Sequence, residues 1–153
     1  MPADEFAELS AVQPEDSCLY NHEWYAHGAC SALPVADYFA DAVTLARRFL
    51  ALPHVNAVVK SAAGQTVDLA TLQEALTQDL GAASSGSAVV LCRQDRQSKA
   101  WYFSSFTVGL DKQNLMQFPA PASFAPLKPY PDQNGVPRPD VGNCPQTGIR
   151  VAP

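Results

Sequence analysis

The chain has 153 residues, 47% of them apolar, which suits one domain with a core of its own. Its formal charge of −5 and pI near 5.0 argue against a protein that holds nucleic acid through a broad basic surface, because phosphate binding is mainly a Lys/Arg effect. An enzyme acting on RNA needs only local positive charge and stays within these bounds.

The first predicted element spans Asn21 to Ala29 and holds two of the chain's three histidines around a carboxylate. On an α-helix Glu23, Ala26 and His27 share a face, while His22 lies about 140° from His27 and the imidazoles flank the carboxylate. A carboxylate beside an imidazole favours the imidazolium, which suits an acid–base catalyst. The zinc motif His-Glu-x-x-His does not apply, because the spacing here is one residue too long and rotates the second imidazole off the metal. An equally open reading takes these as ordinary polar residues on a half-buried helix, with Trp24 packing inward.

After Pro34, the residues Val35, Tyr38, Phe39, Ala42, Val43, Ala46, Phe49 and Leu50 recur at helical spacing, and Pro53 closes that helix. Arg47-Arg48 reads as its solvated, dipole-favoured end, and His54 follows alone in a loop. A second helix starts at the N-cap Asp68, with Val67 and Leu72 placed as a hydrophobic staple. Leu69, Leu72, Leu76 and Leu80 line its buried face, and Gly81 ends it.

A turn from Gly81 to Ser87 leads into a buried strand, Ala88 to Cys92. Lys99 to Leu110, rich in aromatic and β-branched residues, should pair with it, and Trp101, Tyr102 and Phe103 read as core packing before they read as a nucleobase platform. Eight prolines from Phe118 to Pro145 inclusive predict a long stiff loop without regular elements, and a last short strand is expected through Gly148 to Val151. The expected fold is α+β: helices in the N-terminal half packed on a small, mainly antiparallel sheet, with the Pro-rich loop near the C-terminus and residues 1–153 as one domain.

Met1 to Phe6 lack the basic start and apolar run of a signal peptide, and no stretch of about 18 apolar residues occurs, so no membrane partner is expected. Cys18, Cys30, Cys92 and Cys144 contain no Cys-x-x-Cys pair and allow three pairings. A disulfide framework in an oxidising compartment is preferred to buried free thiols.

The segment His22-Glu23-Trp24-x-x-His27-Gly28-x-Cys30 closely resembles the second catalytic segment of the ribonuclease T2 family, His-Glu-Trp-x-Lys-His-Gly-Thr-Cys. Ser17-Cys18-Leu19 and Ala36-Asp37-Tyr38-Phe39 are similar to its bacterial branch, Thr66 to Leu80 to the helix before its core strands, and Gly142-Asn143-Cys144 to its closing cysteine. The resemblance implies cleavage of single-stranded RNA by the ribose 2′-hydroxyl through a 2′,3′-cyclic phosphate, with no metal and no cofactor. By position His27 would be the base, Glu23 the polar stabiliser, His22 a phosphate- or base-positioning residue and Trp24 a substrate contact. The family is secreted or periplasmic.

Two parts of the pattern are absent. No His-Gly-Leu-Trp-Pro supplies the first catalytic histidine, and Phe106 to Asp111, superficially like it, has none; the lysine position is Ala26. A chain lacking both should be a weak or inactive ribonuclease, incomplete at its N-terminus and in need of a partner segment with the other histidine. The alternative is a noncatalytic RNA-binding or partner-binding protein on the same scaffold. The resemblance also implies a Cys92–Cys144 disulfide and pairs Cys30 with a cysteine upstream of this chain. Cys18 and Cys30, about 18 Å apart if the intervening helix is continuous, should not bond to each other.

Overall fold

The computed structural model describes residues 21–127 and 143–153, together with the backbone of 130–131 and 137–138. Cys18 and the rest of residues 1–20 lie outside the described residues, as does Gly142. The chain divides into two compact units, Met1–Ala51 and Leu52–Pro153.

In the first unit a helical turn at residues 21–23 runs into a π-helical turn, Trp24–Gly28, and then into α1, Val35–Leu50. The 3.6-residue period puts Phe39 and Val43 on one face of α1, where both are buried and Trp24 and Tyr38 pack against them. Burial of a Phe or Val side chain contributes roughly 1.5–3 kcal/mol, so this small cluster is what ties the π-turn to α1. Asp37 in the first turn of α1 and Arg47 and Arg48 in its last complement the helix dipole.

The second unit opens with a helix the periodicity did not reveal, α2, Pro53–Ala62. Pro53 does stop α1, but it also starts α2, because proline at the first helical position loses no hydrogen bond and carries the right φ. His54 is therefore in a helix's first turn and not in a loop. The two-residue strand β1, Thr66–Val67, precedes α3, Leu69–Leu80, which buries Leu69, Leu72, Ala75, Leu76 and Leu80 and packs against α2. Asp68 holds the N-cap position with extended backbone but makes no side-chain cap, and Gly81 ends the helix at φ 73°.

After a 3₁₀ turn at Ala82–Ser84, β2, Ala88–Gln94, pairs antiparallel with β3, Trp101–Val108, the register shifting between Leu91 and Cys92. Gly109, just past β3, lies so close to the chain at Ala125 and Leu127 that a Cβ would overlap the Ala125 carbonyl. The proline-stiffened loop, expected to lack regular elements, has them where its residues are described. It holds a 3₁₀ turn at Pro121–Ser123 and two short paired strands, β4, Tyr130–Pro131, and β5, Pro137–Arg138. Prolines are tolerated in so short a ladder because its outer edges need no donor.

The last strand, β6, Ile149–Arg150, lies between β1 and β3 in a four-stranded sheet of order β1-β6-β3-β2. It is antiparallel to β1 and parallel to β3, so the sheet is mixed, and the fold is α+β with its helices mostly in the N-terminal half. Ile149, fully buried, is the centre of that sheet, and α3 packs against β2.

Cys92 and Cys144 form a disulfide with Cα atoms 5.0 Å apart. Beside it the Asn143 carboxamide donates to the Cys92 carbonyl at 2.7 Å and accepts from the Cys92 N–H at 2.8 Å. At the edge strand β2 it thus acts as a neighbouring strand would.

Candidate active site on a π-helical turn

The histidine cluster belongs to the first unit, and its shape follows from the turn that carries it. The Ala29 N–H donates to the Trp24 carbonyl at 2.7 Å, a five-residue closure in place of the four-residue closure of an α-helix. That closure adds about one residue to the turn between His22 and His27, so their five-residue step ends nearer a full turn than the roughly 140° excess of an α-helix. His22 and His27 accordingly stand together, ring centroids 5.8 Å apart and edge to face at 82°. The expectation that the longer spacing rotates the second imidazole away from an ion shared with the first is not met, because it assumed a continuous α-helix.

Both imidazoles are exposed and Glu23 is half-buried. A ligand atom from each of His22, Glu23 and His27 falls within 4.8 Å of the others, so one small ion or one phosphate oxygen can be reached by all three. Ala26, at the position where a lysine was expected, is exposed and supplies no charge, and Tyr25 beside it is 77% exposed.

Beneath the cluster sits an aromatic floor. The Trp24 and Tyr38 rings meet edge to face at 5.7 Å, and Tyr38 meets Phe39 at 5.2 Å. Trp24 is half-buried in this packing, so its visible work is to anchor the turn. Gly28 is buried directly against the indole: a Cβ there would lie 2.9 Å from Trp24 Cζ3 and closer still to Cε3. Burial, and then the nearby Glu23 carboxylate, push the Tyr38 hydroxyl above its ordinary value, so Tyr38 remains a neutral phenol near that carboxylate. Past Gly28 the Ser31 hydroxyl donates to the Gly28 carbonyl at 2.6 Å and accepts from the Leu33 N–H, turning the chain out of the helix. Cys30 is an exposed free thiol.

The second unit contains the third histidine in an unforeseen pairing. Asp79, its side chain 1% exposed, accepts from His54 Nδ1 at 2.6 Å, from the His54 N–H at 3.1 Å and from the Val55 N–H at 2.8 Å. It thus caps the start of α2 from the end of α3. Burial alone would raise the Asp79 carboxyl, but the Val55 N–H and the ring and N–H of His54 outweigh it and hold it below the ordinary carboxylate value. One signal was available in the sequence: an aspartate in the last turn of a helix opposes the dipole, so it calls for a partner elsewhere.

Trp101, Tyr102 and Phe103 are half-buried in β3, with the Arg150 guanidinium 6.0 Å from the Tyr102 ring centroid. No helix among the described residues is long and apolar enough to cross a membrane.

Among known families, the model described as the Ribonuclease T2 family matches residues 4–118. No curated protein matches the chain.

Proposed function

The chain belongs to the ribonuclease T2 family, and from that premise we propose that it derives from an endoribonuclease of the bacterial branch that cleaves single-stranded RNA, with residues 22–30 as half of its site. The family match runs across the boundary between the two compact units, which supports reading them as one ribonuclease domain. The observation that supports the assignment of the site is the cluster itself: His22 and His27 stand together with Glu23, and both imidazoles are exposed.

In this reading the His27 imidazole takes the proton of a ribose 2′-hydroxyl. The 2′-oxygen forms its bond to the adjacent phosphorus while the bond to the 5′-oxygen breaks, leaving a 2′,3′-cyclic phosphate. The 5′-oxygen leaves with a proton from a second acid, the role of the histidine in the missing first segment. Glu23 stabilises the crowded phosphorane, His22 positions the phosphate, and Trp24 holds the turn in place. The reaction needs no metal and no cofactor.

The isolated chain should be a weak or inactive enzyme. Losing a general acid costs about 10²–10⁴-fold and losing an electrostatic stabiliser about 10²–10³-fold, and both the acid and the lysine are absent. The Cys92–Cys144 disulfide fits an oxidising, secreted or periplasmic setting. Exposed, uncharged Ala26 favours a second reading, a noncatalytic RNA-binding or partner-binding protein on the ribonuclease scaffold.

Incubating the chain with single-stranded RNA, alone and with a segment carrying the first catalytic histidine restored, and assaying 2′,3′-cyclic phosphate ends separates the two. Cleavage abolished by His27→Phe supports the enzyme. Absence of cleavage in both forms, with RNA binding indifferent to His27→Ala, supports the scaffold.

A further inference from the structure

In an α-helix, a metal-binding histidine pair is spaced i and i+4 so that both imidazoles rise from one face, a full turn apart. In a π-turn the corresponding full turn takes about one residue more. His22-Glu23-Trp24-Tyr25-Ala26-His27 is one residue too long for the α-helical motif, but the π-turn Trp24–Gly28 takes up that extra residue between the two histidines and their rings meet at 5.8 Å. We propose that His22, Glu23 and His27 form a binding site for a divalent transition-metal ion of the zinc or copper(II) class.

The donor set supports that class of ion. Two imidazole nitrogens and one carboxylate oxygen suit zinc, copper, nickel and cobalt, whereas magnesium and calcium prefer all-oxygen shells. Three protein ligands leave one or more positions for water, as in open zinc sites. The ligand atoms lie within 4.8 Å of one another. Around a tetrahedral zinc with bonds near 2.0–2.1 Å they would stand about 3.3 Å apart, so the widest pair must close by roughly 1.5 Å. Both imidazoles are exposed and can make that movement by side-chain rotation, while the aromatic floor of Trp24, Tyr38 and Phe39 keeps the turn itself fixed. The proposal rests on geometry alone and does not require ribonuclease activity.

Cys30 is the obvious competitor, because an exposed thiol three residues past His27 in sequence is itself a candidate zinc ligand. The test therefore uses the full chain with Cys18→Ser and Cys30→Ser, titrated with Zn²⁺ by calorimetry and with Co²⁺ by visible absorption. One ion per chain is expected, with Mg²⁺ and Ca²⁺ giving no signal. His22→Ala and His27→Ala should each weaken binding by at least about 10-fold, Glu23→Gln should weaken it measurably, and His54→Ala should leave it unchanged.

The three substituted positions are exposed or half-buried, and an unchanged melting curve for each variant confirms that the loss is local. Absence of saturable binding overturns the proposal. So does binding that survives the double His22→Ala, His27→Ala substitution, or binding that vanishes with the two cysteine substitutions alone. An unchanged affinity in Glu23→Gln would remove the carboxylate and with it the three-ligand site.

Discussion

Gly28→Ala tests whether the π-turn is held by its packing. Gly28 sits in a helical turn at a negative φ, so conformational freedom is not what it supplies. On propensity alone the change should stabilise, since alanine is favoured over glycine in a helix by about 0.8–1 kcal/mol. Sterics oppose it. The new methyl would lie 2.9 Å from Trp24 Cζ3 and nearer still to Cε3, and the indole cannot swing freely because Tyr38, Phe39 and Val43 brace it. Displacing it forfeits an edge-to-face contact of about 0.5–1.5 kcal/mol and adds overpacking strain of about 1–3 kcal/mol. The strain exceeds the propensity gain, so the expected net effect is destabilisation of roughly 1–3 kcal/mol. At about 2–4 °C per kcal/mol for a chain of this length, Tm should fall by several degrees. Trp24 and Trp101 are the two tryptophans, so in a Trp101→Phe background the emission of Trp24 should shift as the indole loses its packing. A raised Tm with unchanged Trp24 emission would refute the reasoning, showing that the ring yields at no cost and that the turn does not depend on it.

Removing the disulfide by Cys92→Ala with Cys144→Ala releases a link spanning 52 positions in sequence, worth about 4 kcal/mol in the chain-entropy model, so a denaturant melt should show most of that loss. Asp79→Asn should cost about 1–2 kcal/mol, because an amide keeps one acceptor oxygen where the carboxylate uses both. The Asp79 carboxyl titrates below its unfolded value, so its contribution is complete above about pH 4 and is lost as pH falls through the folded pKa. Melts of the two proteins should converge as pH falls below about 4; a gap that persists undiminished in strong acid would contradict the assignment. Ala26→Lys, on an exposed position of the site's helical turn, should raise cleavage by at least about 10-fold in a chain with the first segment restored, measured as initial rate on single-stranded RNA.

The parts of the fold legible in the sequence are those that carry their own periodicity. Leu69, Leu72, Leu76 and Leu80 mark α3, and the apolar spacing of residues 35–50 marks α1, because each helix buries one face and must repeat at 3.6 residues to do so. β2 and β3 show by composition. β1 and β6 do not, since two-residue strands are defined by their partners across the sheet, and Thr66 with Arg150 carries no local signal of that pairing. α2 carries no comparably long repeat, and a proline at its first position has the same local signature as one that ends the helix before it.

The site is where local and tertiary information part most clearly. The residue types around His27 pointed to the family, but their relative placement depends on which helix they adopt. Under α-helical geometry the two imidazoles stand about 140° apart and flank the carboxylate. Under the observed π-turn they converge on one carboxylate. No residue in Trp24–Gly28 forbids an α-helix by itself. What distinguishes the two is the indole of Trp24 lying over Gly28 while it packs on Phe39 and Val43 of α1, a contact between segments that a local pattern cannot report. A π-turn inserts one residue into the helical ladder and is kept where packing or function makes up for its poorer geometry. Here the insertion turns a spacing that fails as an α-helical metal motif into one that gathers three ligand-capable side chains.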